Sequence, residues 1–396
     1  MHRILAITLT VAALVLPTPC AAQTDVNAVL ATVEAHNSTL KALRLTLDAE
    51  QQANHAETTL DDPEIEVAQQ WGSPSSIGTR QNLNVSQRFD AATLTGSKRR
   101  LAGARDEEAR QRYALERSRI MLDAREAIAD VIYYNALTAL LRTRLDQARA
   151  TSRAWQQRHA AGRASLTDVE NSRLDLQMAE TDMARTLAER TAAQQRLQWL
   201  CGDQPVTLTD TAFAAIAPLG TFDEWAARAE AQGPTLAYAR SQSTVAQQER
   251  RVASRQALPA LTLGYGGEFT RDEKYQGLTV GLSLPLWSAR RRVRSAKAAV
   301  AAAEAQATDA RTATMAEVRR LYDQVNALQR VAADSDRNLA GQQSLHLWQR
   351  SLQEGAISVI DYLTAIRLYY DARQQNLDTR RDLHKAYARL LVVAGE

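Results

Sequence analysis

The chain has 396 residues, of which 48 are basic and 45 acidic, for a formal net charge of +3. Its 16 glycines, 9 prolines and 5% aromatic residues, set against an excess of Ala, Leu, Arg, Glu and Gln, argue against a compact sheet protein and favour long helices. The charges of both signs are interleaved along the chain, as on solvated helix faces, so no nucleic-acid partner is expected.

Residues 1–22 read as a secretory signal: a basic start at Arg3, an apolar run from Ile4 to Leu16 and a small-residue exit at Cys20-Ala21-Ala22. The mature chain is then expected to begin at Gln23, outside the cytoplasm. Lipid modification of Cys20 is the alternative, and Pro17-Thr18-Pro19 is a poor match for it. If Cys20 leaves with the leader, Cys201 is the only cysteine, so an intramolecular disulfide is impossible. Beyond the leader no apolar run reaches the ~18 residues of a membrane-spanning helix, which leaves a β-barrel as the open route into a membrane.

The remainder is one unit repeated twice. Asp62-Pro-Glu-Ile-Glu-Val aligns with Leu258-Pro-Ala-Leu-Thr-Leu, Trp155 with Trp348, Gly162 with Gly355, and Arg196-Leu-Gln-Trp-Leu-Cys-Gly with Arg389-Leu-Leu-Val-Val-Ala-Gly. The expected domains are repeat 1 at 23–202, a connector at 203–233 and repeat 2 at 234–396. Each repeat opens with a helical segment, 27–57 in the first and 222–256 in the second, the latter broken at Gly233-Pro234. A hairpin follows at about 62–89 and again at about 259–287, where residues alternate with period two: Ile65, Val67 and Trp71, then Leu83 and Val85; later Leu261, Leu263 and Tyr265, then Leu278, Val280 and Leu282. The strands have roughly membrane-crossing length. About 60 residues of helical periodicity then follow each hairpin, including Met121, Ala124, Ile128 and Val131, and in the second copy Val359, Leu363, Ile366 and Tyr370. Helical patterns this long signal a coiled coil or helical barrel.

The tips of these long helices carry Gly162 with Ser165 and Asp168, and Gly355 with Ser358 and Asp361. Glycine suits the left-handed residue that closes a helix, serine caps the next one, and the acid three residues on completes a capping box. Tight helix-to-helix turns are expected at 162–168 and 355–361. Asp361 has two readings: a helix-capping acid, or one member of a carboxylate ring facing a pore axis.

Two basic clusters follow the hairpins, Lys98-Arg99-Arg100 and Arg290-Arg291-Arg292. They read either as solvated helix starts or as cations held against lipid phosphates at a membrane border. Trp71, Tyr265, Phe269, Tyr275 and Trp287 lie in or beside the strands and read as a membrane-interface aromatic girdle or as ordinary packing. No phosphate-binding glycine loop, nucleophile elbow or metal-binding histidine motif is present, so neither catalysis nor a cofactor or metal site is expected.

The duplicated order of helix, hairpin, long helix, Gly-x-x-Ser tip and returning helix resembles the TolC-like outer-membrane efflux family. The likeness is carried most specifically by Gly281-Leu-Ser-Leu-Pro-Leu-Trp at the end of the last strand and by the two tips, at Gly162 and Gly355. It implies a mainly α fold with a membrane β-barrel: a homotrimer whose twelve strands form one barrel, continued by a periplasmic α-helical barrel. It also implies a passive exit duct that works with a periplasmic adaptor (membrane fusion protein) and an inner-membrane pump of the RND type, embedded in outer-membrane lipid. By position, Gly162, Ser165, Gly355 and Ser358 match the adaptor-docking tips, and Asp361 matches the first of two constriction aspartates, the second position being Thr364. Arg88 and Ser38 stand where many members have proline. Thr95-Gly-Ser-Lys-Arg-Arg is similar to the motif of the CzcC-like cation-efflux branch. Small solutes, and among them heavy-metal cations, are the cargo this suggests; protein secretion through the same duct, or a structural periplasmic coiled coil, are the alternatives.

Overall fold

The computed structural model describes residues 26–285, 287–340 and 344–396. The expected signal segment, with Cys20, lies outside the described residues. The first helical segment is two helices, α1 (Val26–His36) and α2 (Ser38–Ala56), rather than one. Asn37 makes the break. Its extended backbone ends α1, its side-chain oxygen accepts from the Leu40 amide at 3.0 Å to cap α2, and its side-chain amide donates to the Leu200 carbonyl at 2.8 Å.

Two hairpins, β1 (Glu64–Trp71) with β2 (Thr79–Phe89) and β3 (Ala260–Phe269) with β4 (Lys274–Ser283), join into one antiparallel sheet in the order β1-β2-β3-β4. The two halves of the chain therefore meet at the β2–β3 pairing, and β1 and β4 are left as open edges. Below the sheet, α3 (Ala91–Leu94) leads into α4 (Ser97–Ala160), whose 64 residues run for about 96 Å. The chain returns in α5 (Leu166–Leu200). The second half repeats this with α6 (Phe222–Gln232), α7 (Pro234–Arg255), α8 (Ser288–Ala340), α9 (Ser344–Gln353) and α10 (Val359–Ala394).

Pro234 at the first position of α7 makes the second break fall where expected. In the order of elements α6 stands to α7 as α1 stands to α2. Each unit closes in the same manner. Gly202 (φ +65°) and Gly395 (φ +97°) follow the last helix of each unit, and a Cβ on them would lie 2.2 Å from the His36 carbonyl oxygen and 2.5 Å from that of Gln232. These glycines press the end of each unit onto the end of its own first helix. Gly202→Ala and Gly395→Ala are each expected to cost about 2–4 kcal/mol, because left-handed backbone strain and a backbone clash add. Thermal unfolding of the purified chain reads that loss, and Gly103→Ala, whose added Cβ meets nothing within 4 Å, is the control.

Helices α2, α4, α7 and α8 lie side by side in the order of the strands they adjoin, while α5 packs along α4 and α10 packs along both α4 and α8. Lys385 and Arg389 of α10 pair with Asp130 and Glu126 of α4 at 2.6 and 2.7 Å, which fixes their antiparallel register. Continued towards the tips, that register brings Ser358 level with Gln157, little more than a turn above Gly162. Of the apolar stripe expected on α10, Val359, Ile366 and Tyr370 are buried, but Tyr362 takes the buried place expected for Leu363.

The connector crosses these helices. Phe213 stacks on the His384 ring at 4.8 Å, and burial pushes the His384 imidazole down from its ordinary 6.5 to about 4. A histidine kept neutral in the folded state is protonated first in the unfolded state. Stability is therefore full above about pH 6.5 and declines as pH falls towards 4, by at most about 3 kcal/mol for this group, with no further change from it below pH 4. His384→Gln is expected to flatten that part of a stability–pH curve measured by chemical denaturation.

Candidate functional site

The sheet register separates two chemically distinct faces. Cross-strand partners Ile65 and Val85, Val67 and Leu83, Val85 and Tyr265, Tyr265 and Leu278, Leu263 and Val280, and Leu261 and Leu282 all lie on one face. That face is exposed: Leu278 is 85% accessible, Val67 75%, Val280 72% and Ile65 67%. The opposite face carries Glu64, Glu66, Arg80, Asn82, Asn84, Ser86, Thr262, Glu268 and Thr279, with Arg80 and Glu268 ion-paired across the strands. An exposed apolar surface backed by a polar one is the pattern of a sheet that meets lipid on one side and water on the other.

The aromatic residues divide between these faces. Trp71, Tyr265 and Phe269 share the apolar face, and Trp287 is 85% exposed just beyond β4. Tyr275 pairs with Glu268 on the polar face, and its hydroxyl donates to the Glu273 carboxylate at 2.6 Å. The strand period thus places Tyr275 on the opposite side of the sheet from Trp71, Tyr265 and Phe269.

The two basic clusters also differ. Lys98 is largely buried and pairs with Asp90 at 3.1 Å, while Arg100 donates to the Thr95 carbonyl and the Ser97 hydroxyl at 3.1 and 3.2 Å. These residues tie α3 to the start of α4, where Gly96 takes a left-handed φ of 67°. Arg99 is exposed. In the second cluster Arg292 reaches the Gln256 side chain at 3.2 Å, and Arg290 and Arg291 are exposed.

Both tips are built as their sequences specify. Gly162 and Gly355 have φ of 69° and 74°. The amides one residue on, Arg163 and Ala356, each reach back to the Arg158 and Ser351 carbonyls at 2.8 Å, closing the turn. Ser165 caps α5 and Ser358 caps α10, and both capping boxes are complete. At the second, the Ser358 hydroxyl and amide donate to one Asp361 carboxylate oxygen at 2.5 and 3.2 Å, and the Asp361 amide donates back to the hydroxyl at 3.2 Å. Asp361 is exposed, and Thr364, one turn on, borders a groove of about 280 Å³ between α5 and α10.

Just above the tips is a polar link that the sequence reading missed. The Gln147 side chain of α4 donates to the Tyr362 hydroxyl and accepts from the Tyr370 hydroxyl, both at 2.9 Å. Beside it, buried Arg144 donates to Asp182 of α5 at 3.0 Å and lies 6.0 Å from the Tyr370 ring centre. Burial raises the Asp175 carboxyl against the opposing pull of Arg144. Two tyrosines eight residues apart on the α10 stripe were the available signal, but their shared partner lies more than 200 positions away.

The protomer is thus a two-faced sheet mounted on a long helical extension with closed turns at its far end. Residues 225–396 match the model of the outer membrane efflux protein family. Solved structures share the fold of the whole chain. CusC is 14% identical with a TM-score of 0.80, covering 94% of this chain and 92% of its own. The Campylobacter jejuni CmeC outer membrane channel is 14% identical with a TM-score of 0.77 over 93% and 85%, and Vibrio cholerae VceC is 16% identical with a TM-score of 0.76 over 93% and 96%. No curated protein matches the chain at the level of sequence. The family match thus covers the second half of the chain, and the likeness to these outer-membrane structures in fold extends over both halves.

Proposed function

We propose that three copies of the chain close a twelve-stranded barrel in the outer membrane, continue it as an α-helical barrel, and serve as the passive exit duct of a tripartite efflux system. The observation that carries this reading is the exposed apolar face of a four-stranded sheet with two open edges. Unpaired strand edges are costly in lipid, so one chain is incomplete and further copies must supply the missing strands. Trp71, Tyr265, Phe269 and Trp287 then belong to the aromatic borders of the barrel, and Lys98, Arg99, Arg100, Arg290, Arg291 and Arg292 lie at its periplasmic border.

At the other end, the turns at Gly162, Ser165, Gly355 and Ser358 receive a periplasmic adaptor fed by an inner-membrane pump of the RND type, and Asp361 with Thr364 lines the constriction. The cargo is small solutes, with heavy-metal cations favoured by the likeness of Thr95-Gly-Ser-Lys-Arg-Arg to the cation-efflux branch. Heat-resistant trimers in an outer-membrane fraction, conducting ions in planar bilayers, are the expected result. A soluble, extended dimer would overturn the reading. Metal tolerance and drug tolerance, compared in a strain lacking the chain, separate the two cargo classes.

A further inference from the structure

The two lateral edges of the protomer carry opposite charge towards the base of the sheet. On the β4–α8 edge, Val293, Ala296 and Val300 turn inward where α8 packs along α7, which leaves Arg290, Arg291, Arg294 and Lys297 exposed. No hydrogen bond or ion pair within the described residues reaches any of these four. On the α2–β1 edge, Asp62, Glu64 and Glu66 are exposed and equally without a partner within the described residues. Both groups stand at the base of the sheet, where β1 begins and β4 ends. Asp61, next to the acidic group, and Arg292, within the basic one, line one cavity of about 440 Å³ that crosses this base.

The strands alternate in direction across the sheet, so β4 of one copy and β1 of another meet antiparallel, as every other pair does. The same docking brings the free side of α8 against the free side of α2, because those helices flank the row in strand order. This contact is head-to-tail and closes a ring when the rotation allows.

We infer that a second copy of this chain is recognised by charge at this seam: Arg290, Arg291 and Arg294 of one protomer pair with Asp62 and Glu64 of the next. Exposed cations and acids with no partner among the described residues, on two edges that must be covered, satisfy each other in the ring. The pairing also rejects mismatched edges. Two β4–α8 edges brought together would place like charges side by side, which costs far more than an exposed ion pair gains.

The inference rests on the trimeric reading proposed above, and the test keeps the two apart. Trimer yield is measured by gel without boiling for the full-length chain, for Arg290→Glu/Arg291→Glu/Arg294→Glu, and for that variant with Asp62→Lys and Glu64→Lys added. Reversing one edge is expected to lower the trimer fraction by about tenfold or more, and reversing both is expected to restore most of it. A wild-type chain that forms no trimer defeats the trimeric reading itself. Normal trimers from the single-edge reversal, or no recovery on reversing both edges, overturn the seam alone. A single-edge variant that assembles normally but loses retention on phosphatidylglycerol vesicles assigns the cluster to lipid phosphate and likewise overturns the seam. Mixed copies carrying Asp62→Cys or Arg291→Cys give a readout that does not depend on yield: interchain cross-linking by a short bismaleimide, which spans the reach of an Arg–Asp pair, is expected, and its absence counts against the pairing.

Discussion

Leu278→Arg is expected to keep the chain out of the outer membrane. Leu278 sits midway along β4, is 85% accessible and faces away from the polar side of the sheet, with Tyr265 as its cross-strand partner. A guanidinium at the middle of the lipid-facing band of a barrel costs about 2–4 kcal/mol, and a trimer carries it three times, for roughly 6–12 kcal/mol per assembly. That is comparable to the whole stability of an ordinary domain. The adjacent residue is the control. Gly277 pairs with Gly266 on the polar face, and a Cβ built there meets nothing within 4 Å, so Gly277→Lys is expected to insert and assemble. Fractionation and heat-modifiable mobility report both variants. Equal insertion of the two would mean that the apolar face of this sheet does not meet lipid.

This contrast between neighbours shows why the sheet was legible from sequence. Period-two alternation is written into consecutive residues and survives any rearrangement of the helices around it. The tips were legible for a related reason: Gly162 to Asp168 and Gly355 to Asp361 make their bonds within a few residues of themselves. Features set by distant partners were not legible. The break at Asn37 depends on the Leu200 carbonyl, and its short-range part, an Asn before a helical run, is too common to mark a break. The division of the two basic clusters depends on Asp90, which holds Lys98, whereas no ion pair reaches Arg290 among the described residues. Tyr362 rather than Leu363 is buried, and its hydroxyl accepts from Gln147, a partner far away in sequence. A helical stripe three or four residues wide gives the direction of the core only to within about one position. Tyr275 escaped the same logic because it was placed with the aromatics by proximity, whereas strand parity, which was available, puts it on the other face.

Asp361→Asn is expected to separate the capping role of this residue from its action on ions. In the protomer the carboxylate already has a local function, because one of its oxygens accepts from both the amide and the hydroxyl of Ser358. Asparagine keeps an acceptor oxygen in that place, so the capping box is largely retained and the stability loss should stay below about 1 kcal/mol. Ser358→Ala, by contrast, removes the acceptor of the Asp361 amide and should cost about 1 kcal/mol while leaving the charge in place. In a trimer, three Asp361 carboxylates near the axis attract cations, and their loss is expected to lower the cation-over-anion permeability ratio in planar bilayers on the order of several-fold. Asp168 supplies an internal reference, since it makes the same capping box with Ser165 on the other tip. If the constriction belongs to α10, Asp168→Asn leaves the permeability ratio unchanged and Asp361→Asn does not. Equal behaviour of the two would assign Asp361 to its helix alone, and the constriction would then have to lie elsewhere along the duct.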